Sequence, residues 1–327
     1  MKSSSALFPV SLMRAEQQGP LAEDVYLVKH NRDPDRSVQL ALTHLSYADG
    51  RHQGGQPVVL VHGSFTNRRF WWSQRGIGLA RHLIEQGLDV WLLDQRGHGL
   101  SPRNLDYRNN TLQRYVEFDI GAINDFLLER SGRPPVWVGH SLGGVILASA
   151  IASGVLTREN VHSCVLLGTQ VIRRPRYLWL PLLGFGLRRW IKRRGEISGR
   201  RLKIGPESEP AGLVNEYLRR HDWFGEWRFR RPKRKLMPGW QAGEVPLLSL
   251  AAAADRSDPE PYCQRFASLY GGPLQYVRLG KAEGFQRDYG HVDMVVSQQA
   301  AKEVWPMISN WCLGRELSAG QPQDDGA

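Results

Sequence analysis

Pro135-Val136-Trp137-Val138-Gly139-His140-Ser141-Leu142-Gly143-Gly144 is the stretch that decides how this chain folds. Val136, Trp137 and Val138 form a short β-branched and aromatic run ending at Gly139, and an Ala-rich helical pattern begins after Ser141. The spacing Gly139-x-Ser141-x-Gly143 therefore predicts a strand, a sharp turn with the serine at its apex, and a helix. Such a turn is strained, and side chains two residues either side of the serine would collide with neighbouring backbone, hence the glycines. The helix that follows aims its N-terminal N–H groups and dipole at the serine oxygen, which suits a developing oxyanion.

Outward from this stretch the same rhythm repeats. Pro57–Val61 is a continuous apolar run, as expected of a central parallel strand covered on both faces, and it ends in His62-Gly63-Ser64. A helix is expected over 70–86, stopped by Gly87, and then a second buried strand over 89–93 that ends in Asp94-Gln95-Arg96-Gly97-His98-Gly99-Leu100-Ser101. Leu112, Val116, Ile120, Ile123 and Leu127 place an apolar stripe on a helix over 111–130. Upstream, 25–30 and 38–47 read as a hairpin across the turn signal at Asn31–Pro34. Downstream come strands at 164–167, 246–251 and 274–279, helices at 259–270 and 293–313, and a loop carrying His291. The expected fold is α/β: an eight-stranded, mostly parallel sheet with helices on both faces and right-handed crossovers. Its core spans 25–170 and 245–313, with 1–24 as an N-terminal extension, 171–244 as an inserted helical cap and 314–327 as a disordered tail. Ligands in such sheets sit at the carboxyl ends of the strands, and His62, Asp94 and Ser141 all fall there.

Composition narrows the function. The chain of 327 residues, 41% hydrophobic and 23% charged, fits a large globular α/β domain with an insertion. Cys164, Cys263 and Cys312 are odd in number and far apart, which argues against a disulfide framework and for a reducing, cytoplasmic setting. The apolar run Ala6–Met13 is broken by Pro9 and followed by no convincing cleavage site, and no run reaches the ~20 apolar residues of a bilayer span. No metal-ligand spacing, G-x-G-x-x-G fingerprint or phosphate-binding P-loop occurs, so neither a metal nor a nucleotide cofactor is expected.

The pieces in order, His62-Gly63, Asp94-x-Arg96-Gly97-His98-Gly99-x-Ser101, Gly139-His140-Ser141-Leu142-Gly143-Gly144, an acid after the penultimate strand and Gly290-His291 after the last, resemble the α/β-hydrolase superfamily over about 25–313. The elbow and the Asp94–Ser101 turn look most like its lipase and esterase branches, including monoacylglycerol-lipase-like enzymes, and Gly290–Met294 is similar to the end of acid lipases. The resemblance implies Ser141 as nucleophile, His291 as general base and an acid that orients the imidazole. Asp255 lies at the superfamily's usual distance from Pro246; Asp258 is the fallback, and Asp258-Pro259 also reads as a helix N-cap. Asp293 reads as the N-cap of the last helix. The oxyanion hole is expected from the backbone N–H groups of Ser64 and Leu142, while Asp94, Arg96, His98 and Ser101 are expected to order their own turn. The implied function is hydrolysis of carboxylic esters through an acyl-enzyme. Alternatives on the same scaffold are acyl transfer, thioesterase activity, or a non-catalytic membrane- or protein-binding role.

The positive charge is local. Between Val171 and Glu244 there are 19 Lys and Arg against seven Asp and Glu, a net of +12 beside +11 for the whole chain. In 173–194 an aromatic and aliphatic block lies between basic flanks; it either packs on the cap's own core with its arginines solvated, or lines an acyl pocket or meets an anionic membrane surface peripherally. The basic run 228–235 has no recognition fold around it, and no nucleic acid is expected.

Overall fold

A computed structural model describes the chain except for residues 1–3, 52–53, 74, 176–180, 223–224 and 318–327, and the side chains of 181–183. Nine strands form one sheet: β1 (Val10–Gln18), β2 (Leu21–Val28), β3 (Leu40–Tyr47), β4 (Pro57–Val61), β5 (Asp89–Asp94), β6 (Val136–His140), β7 (Ser163–Leu167) and, beyond the insertion, β12 (Leu247–Ala252) and β13 (Leu274–Leu279). Within the insertion β8 (Glu196–Ser198) pairs with β9 (Ser208–Pro210), and β10 (Arg228–Arg230) with β11 (Lys233–Lys235). The large sheet runs β1-β2-β3-β5-β4-β6-β7-β12-β13; β4 to β7, β12 and β13 are parallel, and β1, β2 and β3 close one edge antiparallel.

Alternation along each central strand sends side chains into two cores. Val59, Val61, Trp91, Leu93 and Trp137 face one cluster with the helices Gly121–Ser131 and Leu142–Ala152. Val58, Leu60, Val90, Leu92, Val136 and Val138 face the other with Leu79–Glu85 and Gln298–Cys312. All of these strand residues are essentially inaccessible to water, and each buried side chain contributes about 1.5–3 kcal/mol. The sheet therefore holds the fold together, and the charged insertion rides on it.

The sheet differs from expectation at its edge. It has nine strands, not eight, because 10–18, inside the supposed extension 1–24, forms β1 and turns into β2 through Gly19. Only Val10 of β1 is buried, so an edge strand held by its ladder left no apolar alternation to read. The helix expected over 70–86 is shortened to Leu79–Glu85. Gly78 sits at φ +149°, and a side chain there would lie 2.2 Å from the Trp71 carbonyl oxygen, so Trp71 and Trp72 are buried from a loop. The 111–130 helix persists from Leu112 to Ser131 with a π-helical turn over Tyr115–Ile120, and the last helix breaks at Ser297 into Asp293–Val296 and Gln298–Cys312. In the supposed tail Gly314 and Arg315 donate their N–H groups back to the last helix and Leu317 packs against the second core, while 318–327 lie outside the described residues.

The insertion is not purely helical. Its helices Pro181–Arg194 and Ala211–Arg220 share a small core of Ile191, Ala211 and Leu218, whereas Leu213, Trp227, Phe229, Leu236 and Trp240 belong to the main core. Among the described residues no helix is long and apolar enough to cross a membrane.

Candidate active site

Ser141 follows β6 and precedes the helix Leu142–Ala152, with φ +53° and ψ −116°. The turn is over-determined: the Ser141 N–H donates to Leu167 O at 2.9 Å, and its carbonyl accepts from Val145 N at 3.0 Å. A side chain at Gly143 would lie 2.2 Å from Val61 O, so only glycine lets the helix start this close to β4. The His62-Gly63-Ser64 turn packs on the nucleophile, since a Cβ at Gly63 would sit 3.2 Å from Ser141 Cβ.

His291 lies in the loop after β13, and its Nδ1 donates to Asp255 Oδ2 at 2.6 Å. Asp255 is buried, and its Oδ1 accepts from the N–H groups of Ser257 at 2.8 Å and Asp258 at 2.9 Å, which aims the other oxygen at the imidazole. Both acids that the sequence left in competition face this ring: Asp258 Oδ2 is 4.0 Å from Nε2. Asp258 does not cap a helix; its Oδ1 accepts from Gln170 Nε2 at 2.6 Å, and the helix Glu260–Ser268 starts after Pro259 with no side-chain cap. Asp293 caps nothing either. It accepts from Gly290 N at 2.7 Å and pairs with Arg287 at 2.7 Å, fixing the loop that carries His291. Burial alone would hold the His291 pKa down, but the Asp255 hydrogen bond and the charges of Asp255 and Asp258 outweigh it and raise the pKa above 6.5. Burial raises the carboxyl pKa of Asp258.

Two further residues shape this corner. His140 Nε2 donates to the His291 carbonyl oxygen at 2.7 Å, its ring stacks on Phe70 at 4.6 Å, and it lies 4.6 Å from the His291 ring. Burial and the neighbouring His291 hold its pKa down to about 3, so it remains neutral. Gly168 passes so close that a Cβ there would meet Met294 Cε at 2.9 Å and both Asp255 Oδ2 and His291 Nδ1 at 3.2 Å. The sequence discounted His140 as the variable elbow position, and nothing in Gly168 alone could have singled it out. Among the described residues no hydrogen bond joins the Ser141 hydroxyl to His291, and such bonds often tighten only when substrate is bound.

The turns expected to be architectural carry their own bonds. His62 Nδ1 donates to Gly63 O at 2.8 Å and its Nε2 accepts from Gln95 N at 3.1 Å; burial first, then His98, holds its pKa down to about 3. Asp94 accepts from the N–H groups of Arg68 and Leu100, while Ser101 Oγ donates to Asp94 O. Arg96 bridges Asp119 and Asp33 in the interior. Ser64 lies exposed after β4, and Leu142 opens the helix behind Ser141, where the first amides have no intrahelical acceptor.

The insertion grips this region at β9. Phe65, at φ +60°, donates its N–H to Glu209 Oε1 at 2.7 Å and accepts at its carbonyl from Glu207 N at 3.0 Å. A left-handed conformation costs a non-glycine residue about 1–2 kcal/mol, which these bonds offset. Glu207 also accepts from Asn67 Nδ2 and Gly99 N. Glu209 lies 3.4 Å from His98 Nε2; burial depresses the His98 pKa, and the Glu209 charge more than reverses this. Among the described residues no group of three or more His, Cys, Asp or Glu side chains could hold a metal ion.

Comparisons with known proteins bear on the fold. Residues 56–288 match the alpha/beta hydrolase fold family. Human gastric triacylglycerol lipase is 29% identical over 141 residues, covering 40% of this chain and 33% of that protein. A probable alcohol acetyltransferase of Saccharomyces cerevisiae is 34% identical over 91 residues, covering 28% of this chain and 24% of its own length. The matched segments thus span a third or less of these two relatives. The monoacylglycerol lipase of Paleococcus ferrophilus superposes with a TM-score of 0.52 at 17% identity, covering 80% of this chain and 97% of that one, a likeness of fold. With the family match running through the elbow strand and most of the sheet, the chain belongs to the alpha/beta hydrolase fold family.

Proposed function

We propose that this protein is a serine hydrolase, a lipase or esterase, that cleaves carboxylic esters through an acyl-enzyme. The observation that carries the reading is the 2.6 Å His291–Asp255 hydrogen bond beside a serine held at φ +53° on a helix N-terminus. Ser141 Oγ attacks the ester carbonyl as its proton passes to His291 Nε2, and the Asp255 carboxylate stabilises the imidazolium. The amides of Ser64 and Leu142 receive the oxyanion. His291 then returns the proton to the departing alcohol, and water repeats the sequence to free the acid and Ser141. The test is fluorophosphonate labelling followed by a series of p-nitrophenyl esters of increasing chain length. One label per chain and turnover with a chain-length optimum are expected; no label and no turnover at any length would refute the proposal. The yeast acetyltransferase relative favours acyl transfer as a second reading. Products measured with a competing alcohol decide it, since hydrolysis undiminished by the acceptor removes that reading.

The base must be neutral to act, so kcat/KM should rise with pH through the His291 pKa, on a limb above 6.5. Asp258 helps to hold that pKa up, and Asp258→Asn should move the limb to lower pH, as a pH–rate profile would show.

The insertion, taken as a cap over 171–244, supplies the second part of the proposal: contact with an anionic membrane surface. On the helix Pro181–Arg194, Phe185 and Trp190 are exposed, 63% and 49% accessible, among exposed Arg189, Lys192, Arg193 and Arg194 with no acid between them. That pattern suits apolar insertion beneath anionic headgroups. In vesicle sedimentation, binding to anionic vesicles should exceed binding to neutral ones and fall with salt, and Lys192→Glu with Arg193→Glu should weaken it. Equal binding to both, or none, would remove this part. The three cysteines are all buried and unpaired, which fits a cytoplasmic enzyme meeting the membrane peripherally.

A further inference from the structure

At the end of the helix Ala211–Arg220 the insertion and Leu112 line a half-open cavity of about 170 Å³. Four arginines line it, Arg219, Arg220, Arg228 and Arg230, beside the side chains of Leu112 and Trp227. The three carboxylates in the same wall are already engaged. Glu226 pairs with Lys235 at 2.7 Å and with Arg228 at 2.9 Å. Asp222 faces Arg188 at 3.5 Å. Glu216 accepts from Leu112 N at 2.6 Å, and its burial pushes its pKa up, towards the neutral form.

Arg219, Arg220 and Arg230 are left, among the described residues, with no carboxylate at ion-pair distance. Arg220 Nε donates to His221 Nε2 at 3.2 Å, and its guanidinium lies 5.6 Å from the Tyr217 ring. Arg219 and Arg220 are half-buried, and burial disfavours the charge of both more than the nearby acids favour it, Glu216 and Asp222 for Arg219, Glu216 and Asp258 for Arg220. Arg219 is further opposed by the positive charges of Arg230 and Arg188. Arg219 faces the positive charge of Arg230 across this half-open cavity, and an anion between the two would relieve that repulsion. Guanidinium groups present paired N–H donors that match the oxygens of a tetrahedral anion. A cavity of about 170 Å³ takes such an anion with a small substituent, and not a diacylated glycerol.

We propose that this cavity binds a phosphoryl group, carried either by a small soluble phosphate or by a lipid headgroup. Arg220 lies within electrostatic reach of Asp258, yet the test does not depend on the ester-hydrolysis reading, because binding is measured on the Ser141→Ala protein as well as on the unaltered full chain. Inorganic phosphate and sn-glycerol 3-phosphate are titrated calorimetrically at constant ionic strength, with chloride as the control. Vesicles containing phosphatidic acid are compared with vesicles of equal charge containing phosphatidylglycerol. Saturable binding of a soluble probe, or tighter binding to phosphatidic acid vesicles, is expected. The first identifies a soluble ligand and the second alone a headgroup. Arg219→Gln and Arg230→Gln should each weaken the positive signal by roughly tenfold or more, the loss expected for a charge-assisted hydrogen bond. Arg230 is exposed, so its replacement does not endanger the fold. Silence from both soluble probes together with no preference between the vesicles overturns the proposal, and so does binding that both variants leave intact.

Discussion

Ser141→Ala is expected to abolish ester turnover and fluorophosphonate labelling together. Removing the nucleophile of a serine hydrolase costs on the order of 10⁴–10⁶ in kcat, leaving only what the oxyanion donors and substrate binding supply. The fold should not notice. The elbow is held by backbone bonds, Ser141 N to Leu167 O and Val145 N to Ser141 O, and by the close approach of Gly143 to Val61, none of which uses the hydroxyl. Thermal unfolding of the variant should therefore match the unaltered protein within about 1 kcal/mol of stability. A variant that retains labelling, or turnover within tenfold of the original, would mean that another residue is the nucleophile.

Losses at the other two positions should be unequal, and the order is informative. His291→Ala removes the base and should lower kcat by about 10⁴–10⁶. Asp255→Asn keeps the shape but loses the charge, and an amide that presents its NH₂ to the ring favours the wrong tautomer, at a cost of roughly 10³–10⁴. Asp258→Asn should cost less than about tenfold at the pH optimum, because that carboxylate lies 4.0 Å from Nε2 and makes its own bond to Gln170. Steady-state kinetics on the three variants would expose an error: an Asp258→Asn loss equal to that of Asp255→Asn would mean that the orienting acid has been misassigned.

What the sequence made legible was whatever rested on strict local demands. A buried parallel strand needs an unbroken apolar run, and Pro57–Val61 and Asp89–Asp94 are where that run predicts them. The elbow needs its glycines, and Ser141 has the backbone they imply. Features set by tertiary contact were hidden. β1 has one buried residue and is held by its partner strand, so no pattern announces it. The Trp71 and Trp72 side chains look helical in sequence, yet they are buried by a loop that Gly78 folds back. The choice between Asp255 and Asp258 rests in the sequence on the spacing from Pro246 and on an N-cap reading of Asp258-Pro259, while the structure brings both to His291 and separates them by which nitrogen each one faces. His140 could not be read at all, because its bond to the His291 carbonyl spans distant parts of the chain.

Glu207 and Glu209 root the insertion in the loops beside it, so this end of it does not lift without cost. Tilting the entire flap upward would strip the amides of Phe65 and Gly99 of their acceptors and leave the Glu209 carboxylate without its partners, at about 1–3 kcal/mol for each group stranded. It would also drag the peptide next to Ser64. Replacing Glu209 should therefore loosen the loop beside Ser64 as well as the insertion.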